Sequence, residues 1–199
     1  MAGSERGGPK GSTSDQQHEE RKWREEIEEG IRTMVESSDE DRDNNFLIPW
    51  LKKLEIVEAE LTSKSTSRIV YRFPVLREYL NPTRTFHGGA ISAIFDVCTT
   101  WTLFPISDYG FWSTMGTTRS LHCVYVKPAF ENDVVTVECQ VRVLLFPPWN
   151  IADSCFQIVH AGKRLCLLTG IMKREKDGSV VATCEHNKYN IDLDESSKM

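Results

Sequence analysis

His87-Gly88-Gly89-Ala90-Ile91-Ser92-Ala93-Ile94-Phe95-Asp96-Val97-Cys98-Thr99-Thr100-Trp101-Thr102-Leu103-Phe104 is the stretch on which the fold turns. It is almost wholly apolar, opens on two glycines and stops before Pro105, so it reads as one helix over residues 88–104. A helix apolar on most faces belongs inside a domain. It carries a single ionisable side chain, Asp96. Burying an unpaired carboxylate is costly, so Asp96 either bonds a neighbouring element or serves as a general base or nucleophile with a tuned pKa. The entrance sharpens the choice. His87-Gly88-Gly89 places two residues without side chains at a first helical turn, where backbone N–H groups lack intrahelical partners and the dipole end is positive. An oxyanion can approach such a turn closely, although Gly-Gly is equally at home in a plain tight bend. Asp96 stands two and a half turns further in, and Asn81 stands six residues before His87.

Outward from this helix the chain reads mostly as strands. Ile69, Tyr71, Phe73 and Val75 alternate with polar neighbours, the mark of a half-buried strand, and 54–63 alternates weakly. Further strands are expected over 117–127, 133–143 and 164–174, with a turn at Asp177-Gly178 leading into 179–186. One apolar helix among many antiparallel strands implies an α+β domain whose sheet wraps the helix. Upstream, Trp23, Ile27, Ile31, Met34 and Val35 recur at helical spacing from about Glu19, and a short helix is expected near 45–53. Residues 1–16 are rich in Gly, Ser and charge and are expected to be disordered.

The 199 residues, 40% hydrophobic and 27% charged, suit one domain with tails: an acidic extension over 1–44, a domain over 45–187 and a tail over 188–199. Residues 1–45 hold 13 acidic against 7 basic side chains, so the net charge of -5 belongs to the extension. Nothing in that balance points to nucleic acid. The apolar run at 90–104 reads as too short and too polar to span a bilayer, and no secretory h-region opens the chain. Six cysteines (98, 123, 139, 155, 166 and 184) without a C-x-x-C pair read as free thiols in a reducing, intracellular compartment. The five histidines (18, 87, 122, 160 and 186) lack ligand spacing, so no metal and no cofactor are expected.

Asn81-x5-His87-Gly88-Gly89-Ala90 with Asp96 nine residues after the histidine resembles the hot-dog-fold thioesterase superfamily, and within it the PaaI-like acyl-CoA thioesterases. Thr118 through Pro128-Ala129, Asn132-Asp133-Val134-Val135-Thr136-Val137, Gly162-Lys163-Arg164-Leu165 and Asp177-Gly178-Ser179-Val180-Val181-Ala182 fit as well, so the likeness covers roughly residues 55–187. The resemblance implies a five- to six-stranded antiparallel sheet around a long central helix. It also implies a homodimer, or a dimer of dimers, with each active site shared between subunits. One subunit would supply Asn81, His87 and Gly88, and the other Asp96. Gly88 N–H would polarise the thioester carbonyl, Asn81 would bind it or place the water, and Asp96 would activate that water or attack directly. His87 would orient the carbonyl or brace the loop. A water-orienting hydroxyl maps onto Thr118, where relatives often carry Ser. Gly89 and the cations Arg84, Arg119, Lys127, Lys163 and Arg164 are candidates for the substrate and its CoA phosphates, the cations being equally ordinary solvated charges.

The chemistry is coherent: a thioester is an activated acyl donor, so a water, a base and an oxyanion site suffice. The expected function is therefore hydrolysis of acyl-CoA to free acid and CoA. The rivals are a non-catalytic acyl-CoA-binding module and a hot-dog dehydratase or hydratase, whose Asp-x4-His arrangement is not visible here. Between Gln140 and His160 the family pattern is interrupted by 141–157, and its removal leaves Gln140-Ile158-Val159-His160 as an uninterrupted strand. The segment is either a genuine insertion or the translation of a retained intron. Ser197-Lys198-Met199 resembles the peroxisomal Ser-Lys-Leu address, with cytosol and mitochondrion as alternatives.

Overall fold

The computed structural model describes residues 13–36, 46–63, 66–108, 111–142 and 164–192. Helices α1 (Thr13–Glu36) and α2 (Ile48–Leu51) lead into strands β1 (Glu55–Ser63) and β2 (Thr66–Pro74). The central helix α3 (Gly88–Trp101) follows, then β3 (Thr117–Tyr125), β4 (Val134–Arg142), β5 (Leu165–Arg174) and β6 (Val180–Tyr189). The six strands form one antiparallel sheet in the order β1-β2-β4-β5-β6-β3, so β3 crosses to an outer edge. The fold is the expected α+β hot-dog, a sheet curled around a helix.

Period-2 patterning explains the wrap. Ile69, Tyr71 and Phe73 of β2, Val135, Val137, Cys139 and Val141 of β4, and Cys166, Leu168 and Met172 of β5 are buried and line the concave face. Against them α3 presents Ala90, Ile91, Ile94, Phe95 and Cys98. The closest approach is at Gly170 of β5, where an added Cβ would stand 2.8 Å from the Phe95 ring. Charge decorates the convex face: Arg68 pairs with Glu138 at 2.8 Å, and Arg72 with Glu175 at 2.8 Å and Glu55 at 2.9 Å.

Several boundaries differ from expectation. The helix α1 starts at Thr13, so 13–16, read as disordered, are helical, because a helix once nucleated extends through neighbouring residues at little cost. It packs on β1 with Ile27 and Ile31 buried, and Trp23 meets Phe104 edge-on at 6.2 Å. The α-helical part of α3 ends at Trp101, three residues early. Thr102 Oγ1 bonds back to the Cys98 carbonyl at 2.8 Å, and a 3-10 turn, Phe104–Ile106, takes in Pro105. The apolar stretch is also longer than the run counted from sequence. Gly88–Ile106, 19 residues with mean hydropathy 1.3, is long and apolar enough to cross a membrane, yet here it forms the core, 56% buried. β6 reaches Tyr189, and Asp192 accepts from Ser113 N at 2.6 Å and Thr114 Oγ1 at 2.6 Å, so 188–192 are built into the domain. Of the interrupting segment, Val141 and Arg142 pair in β4 with Leu168 and Leu167, and residues 143–163 lie outside the described residues, as do 1–12 and the Ser197-Lys198-Met199 terminus.

The described cysteines carry free thiols. Cys98 is on α3, Cys123 on β3, Cys139 on β4, Cys166 on β5 and Cys184 on β6; all but Cys123 are buried. Burial pushes these thiols up, Cys166 to about 12.

Candidate active site

The two ends of α3 carry two different half-sites. At its start, His87 is the N-cap, and its Nδ1 accepts from Gly89 N–H at 2.9 Å. That bond occupies the Gly89 donor and leaves Gly88 N–H, the first residue of the helix, without an intrahelical acceptor. Tyr125, at the end of β3, lies over this turn: its hydroxyl bonds Gly88 O at 3.0 Å and Ser92 Oγ at 2.7 Å. A Cβ at Gly88 would come within 3.2 Å of the Tyr125 ring, so glycine is what allows the approach. Asn81 shapes the loop before the helix. Its Oδ1 accepts from Thr83 N and Thr85 N, both at 3.0 Å, and its Nδ2 donates to Thr85 Oγ1 at 2.8 Å. Asn81, Gly88, Ile91, Tyr125 and Lys127 share one open pocket of about 380 Å³.

Further along the helix, Asp96 faces outward from the core with its side chain 44% exposed. Thr118, at the start of β3, donates its hydroxyl to Asp96 Oδ1 at 2.9 Å. Behind both stands His186 of β6, fully buried, with Nε2 at 3.0 Å from Thr118 Oγ1 and 3.3 Å from Asp96 Oδ1. Thr99 Oγ1, which donates to the Phe95 carbonyl at 2.6 Å, stands 2.7 Å from His186 Nδ1 on the other side of the ring. Burial keeps the ring neutral, lowering its pKa from 6.5 to about 4; the Lys188 charge lowers it further and the Asp96 carboxylate opposes. Lys188, two residues on and 3% exposed, donates Nζ to Thr100 Oγ1 at 2.9 Å. Burial depresses its pKa while Asp96 and Cys166 oppose.

The structure thus unites Asp96 with Thr118, and Asn81 with His87 and Gly88, in two groups. Of the expected cations among the described residues, only Lys127 lines the Gly88 pocket. Arg84 is exposed in the loop at φ 61°, Arg119 is exposed at a bulge of β3, and Arg164 donates to Tyr189 Oη at 3.0 Å. Lys163 lies outside the described residues. Tyr125, His186 and Lys188 are additions to the site that the sequence did not mark. His186, read as a scattered core or surface histidine, is indeed buried, but it touches the candidate base.

Residues 84–143 match the model of the thioesterase superfamily. No curated protein matches the sequence. Among solved structures, the fold resembles zebra fish thioesterase superfamily member 2 (19% identity, TM-score 0.58), over 83% of this chain and 96% of that one. It also resembles the E. coli PaaI protein from the phenylacetic acid degradation operon (16% identity, TM-score 0.54), over 85% of this chain and 96% of that one. A third likeness is to a hypothetical thioesterase from Streptococcus pneumoniae solved with coenzyme A (17% identity, TM-score 0.50), over 69% and 85%. The chain thus has the hot-dog fold of these structures, and its residues 84–143 are similar to the thioesterase superfamily.

Proposed function

We propose that the protein hydrolyses acyl-CoA thioesters to free acid and CoA, with Asp96 as the base that activates water. The observation that carries this reading is the half-exposed Asp96 carboxylate, bonded by Thr118 and backed by the buried His186. That carboxylate is half open to a ligand, with His186 Nε2 3.3 Å away. Asp96 takes a proton from the attacking water. The resulting hydroxide attacks the thioester carbonyl, the developing oxyanion is met by Gly88 N–H, and the thiolate leaves with a proton as CoA. The coenzyme A in the pneumococcal neighbour supports the leaving group, and Lys127 beside Gly88 is the cation placed to meet its phosphates.

The spacing of the two half-sites supports a shared site. Gly88 and Asp96 are eight residues apart on one straight helix, which at 1.5 Å per residue is about 12 Å. Reacting groups must stand about 3–3.5 Å apart, so one chain cannot apply both to one carbonyl. The edge strand β3 offers the remedy. It carries Thr118 at one end and Tyr125 at the other, pairs only with β6, and exposes Val124 and Tyr125. Antiparallel pairing with its own copy, centred between Leu121 and His122, sets Thr118 opposite the partner subunit's Tyr125. Asp96 of one protomer then faces the Gly88 turn of the other.

Thiol release from acyl-CoAs of varied length, wild type beside Asp96→Asn, tests the proposal. Hydrolysis by the wild type that falls at least about 10²-fold in the variant is expected. A folded wild type that binds acyl-CoA without hydrolysing it would leave a binding module instead.

A further inference from the structure

Immediately beside Asp96 lies a second pocket, of about 200 Å³. Leu47 and Leu51 from α2 and its cap wall one side, Val97 and Trp101 of α3 the other. A cavity of about 150 Å³ lined by such side chains accommodates benzene, so this one takes an acyl group of about that bulk and no long chain. Opposed to these apolar walls stands Lys188, which lines the same pocket. It is 3% exposed, and its ammonium has three N–H donors, of which Thr100 takes one. Among the described residues no carboxylate forms an ion pair with it. Lysine is almost never buried this deeply unless its charge is matched, and here the Asp96 carboxylate, which lines the same pocket, acts on it through space without forming an ion pair.

We infer that this pocket is a specificity site for short acyl groups that end in a carboxylate, received by Lys188 Nζ. The inference rests on the hydrolase reading above for the placement of the thioester carbonyl at Asp96. Thr100, which fixes the ammonium, lies four residues past Asp96 on α3, a rise of about 6 Å. An extended acyl chain of four or five carbons spans that distance from its carbonyl to a terminal carboxylate. A neutral chain of equal length fills the same apolar walls but offers the ammonium no charge-assisted hydrogen bond, and the difference between the two is the selectivity. Longer chains exceed the pocket.

The experiment compares glutaryl-CoA with hexanoyl-CoA on the full chain, using thiol release for kcat and KM and calorimetry for binding. Wild type is expected to prefer glutaryl-CoA by about 10–100-fold in kcat/KM, the range of one charge-assisted hydrogen bond, mostly through KM. In Lys188→Met the ratio of glutaryl-CoA to hexanoyl-CoA use should fall to one or below, with the melting transition showing a folded protein. A merely structural lysine would lower both substrates together. If Lys188→Met does not fold, the wild-type ratio decides alone: equal or better use of hexanoyl-CoA overturns the inference. Should neither thioester be hydrolysed by folded wild type, the hydrolase reading fails. The calorimetric preference for glutaryl-CoA then stands or falls separately as the test of Lys188.

Discussion

Mixing two dead variants should restore activity, and the amount restored is fixed by geometry. Asp96→Asn removes the base at one end of α3, and Gly88→Val crowds the oxyanion turn at the other. A valine Cβ would start 3.2 Å from the Tyr125 ring, with two methyls beyond it. Loss of an oxyanion donor's access costs about 10²–10³ in rate, so each homodimer is effectively silent. In a two-fold dimer whose sites each combine one α3 start with the other chain's Asp96, a mixed dimer has one site with both lesions and one with neither. Random exchange of equal amounts makes half the dimers mixed, and the expected recovery is about one quarter of the wild-type rate. The assay is thiol release after co-refolding, with differently tagged chains to prove that subunits mixed. Mixing Asp96→Asn with the Asp96→Asn/Gly88→Val double variant is the control and should restore nothing. No recovery in a verified mixture would refute the shared site and with it the 12 Å argument.

Thr118→Val removes the hydroxyl that holds Asp96 and should lower kcat by about 10–100-fold, whereas Thr118→Ser should keep most of it; a valine variant of undiminished kcat would remove Thr118 from the site. His186 makes stability pH-dependent. Its folded pKa of about 4 lies below the ordinary 6.5, so the unfolded chain gains the proton first as pH falls. Its contribution is intact above pH 6.5 and is lost progressively toward pH 4, on the order of 3 kcal/mol in all. Urea unfolding at pH 7.5 and pH 5 should show that fall in the wild type and a flatter dependence in His186→Asn. Gly170→Ala drives a Cβ to 2.8 Å from the Phe95 ring and should destabilise by about 1–3 kcal/mol, read as a lowered melting temperature with the two-state transition intact.

The helix and its two half-sites were legible because their signals are local. Two glycines at a turn, one carboxylate in an apolar run and the alternation of Ile69, Tyr71 and Phe73 each fit within a few residues. The partners of Asp96 were not legible for the opposite reason. His186 and Thr118 are 90 and 22 residues away and meet it only because β3 crosses to the far edge and lies next to β6. No periodicity announces that crossing. The Cys184-Glu185-His186-Asn187-Lys188 stretch reads as an ordinary amphipathic strand end, its histidine and lysine on the inner face only by register. Tyr125 was hidden similarly, since its partner Gly88 offers only backbone. The early end of α3 was decided by hydroxyls, Thr99 and Thr102 folding back on carbonyls, and not by the proline.

The distribution of thiols gives this protein a built-in clock. Five elements of the core, α3, β3, β4, β5 and β6, each hold one described cysteine, and burial shields Cys98, Cys139, Cys166 and Cys184 and pushes their thiols up. A thiol reagent therefore reaches each element only when that element opens, so the order in which peptides become labelled is the order in which the fold comes apart. Cys123, on the half-open edge strand, should be tagged first and should be protected when a second copy closes over it. Cys98, fully buried in the last turn of α3, should respond last, at the pace of global unfolding. A single pulse-labelling series would thus rank the local stabilities of one helix and four strands without introducing a probe.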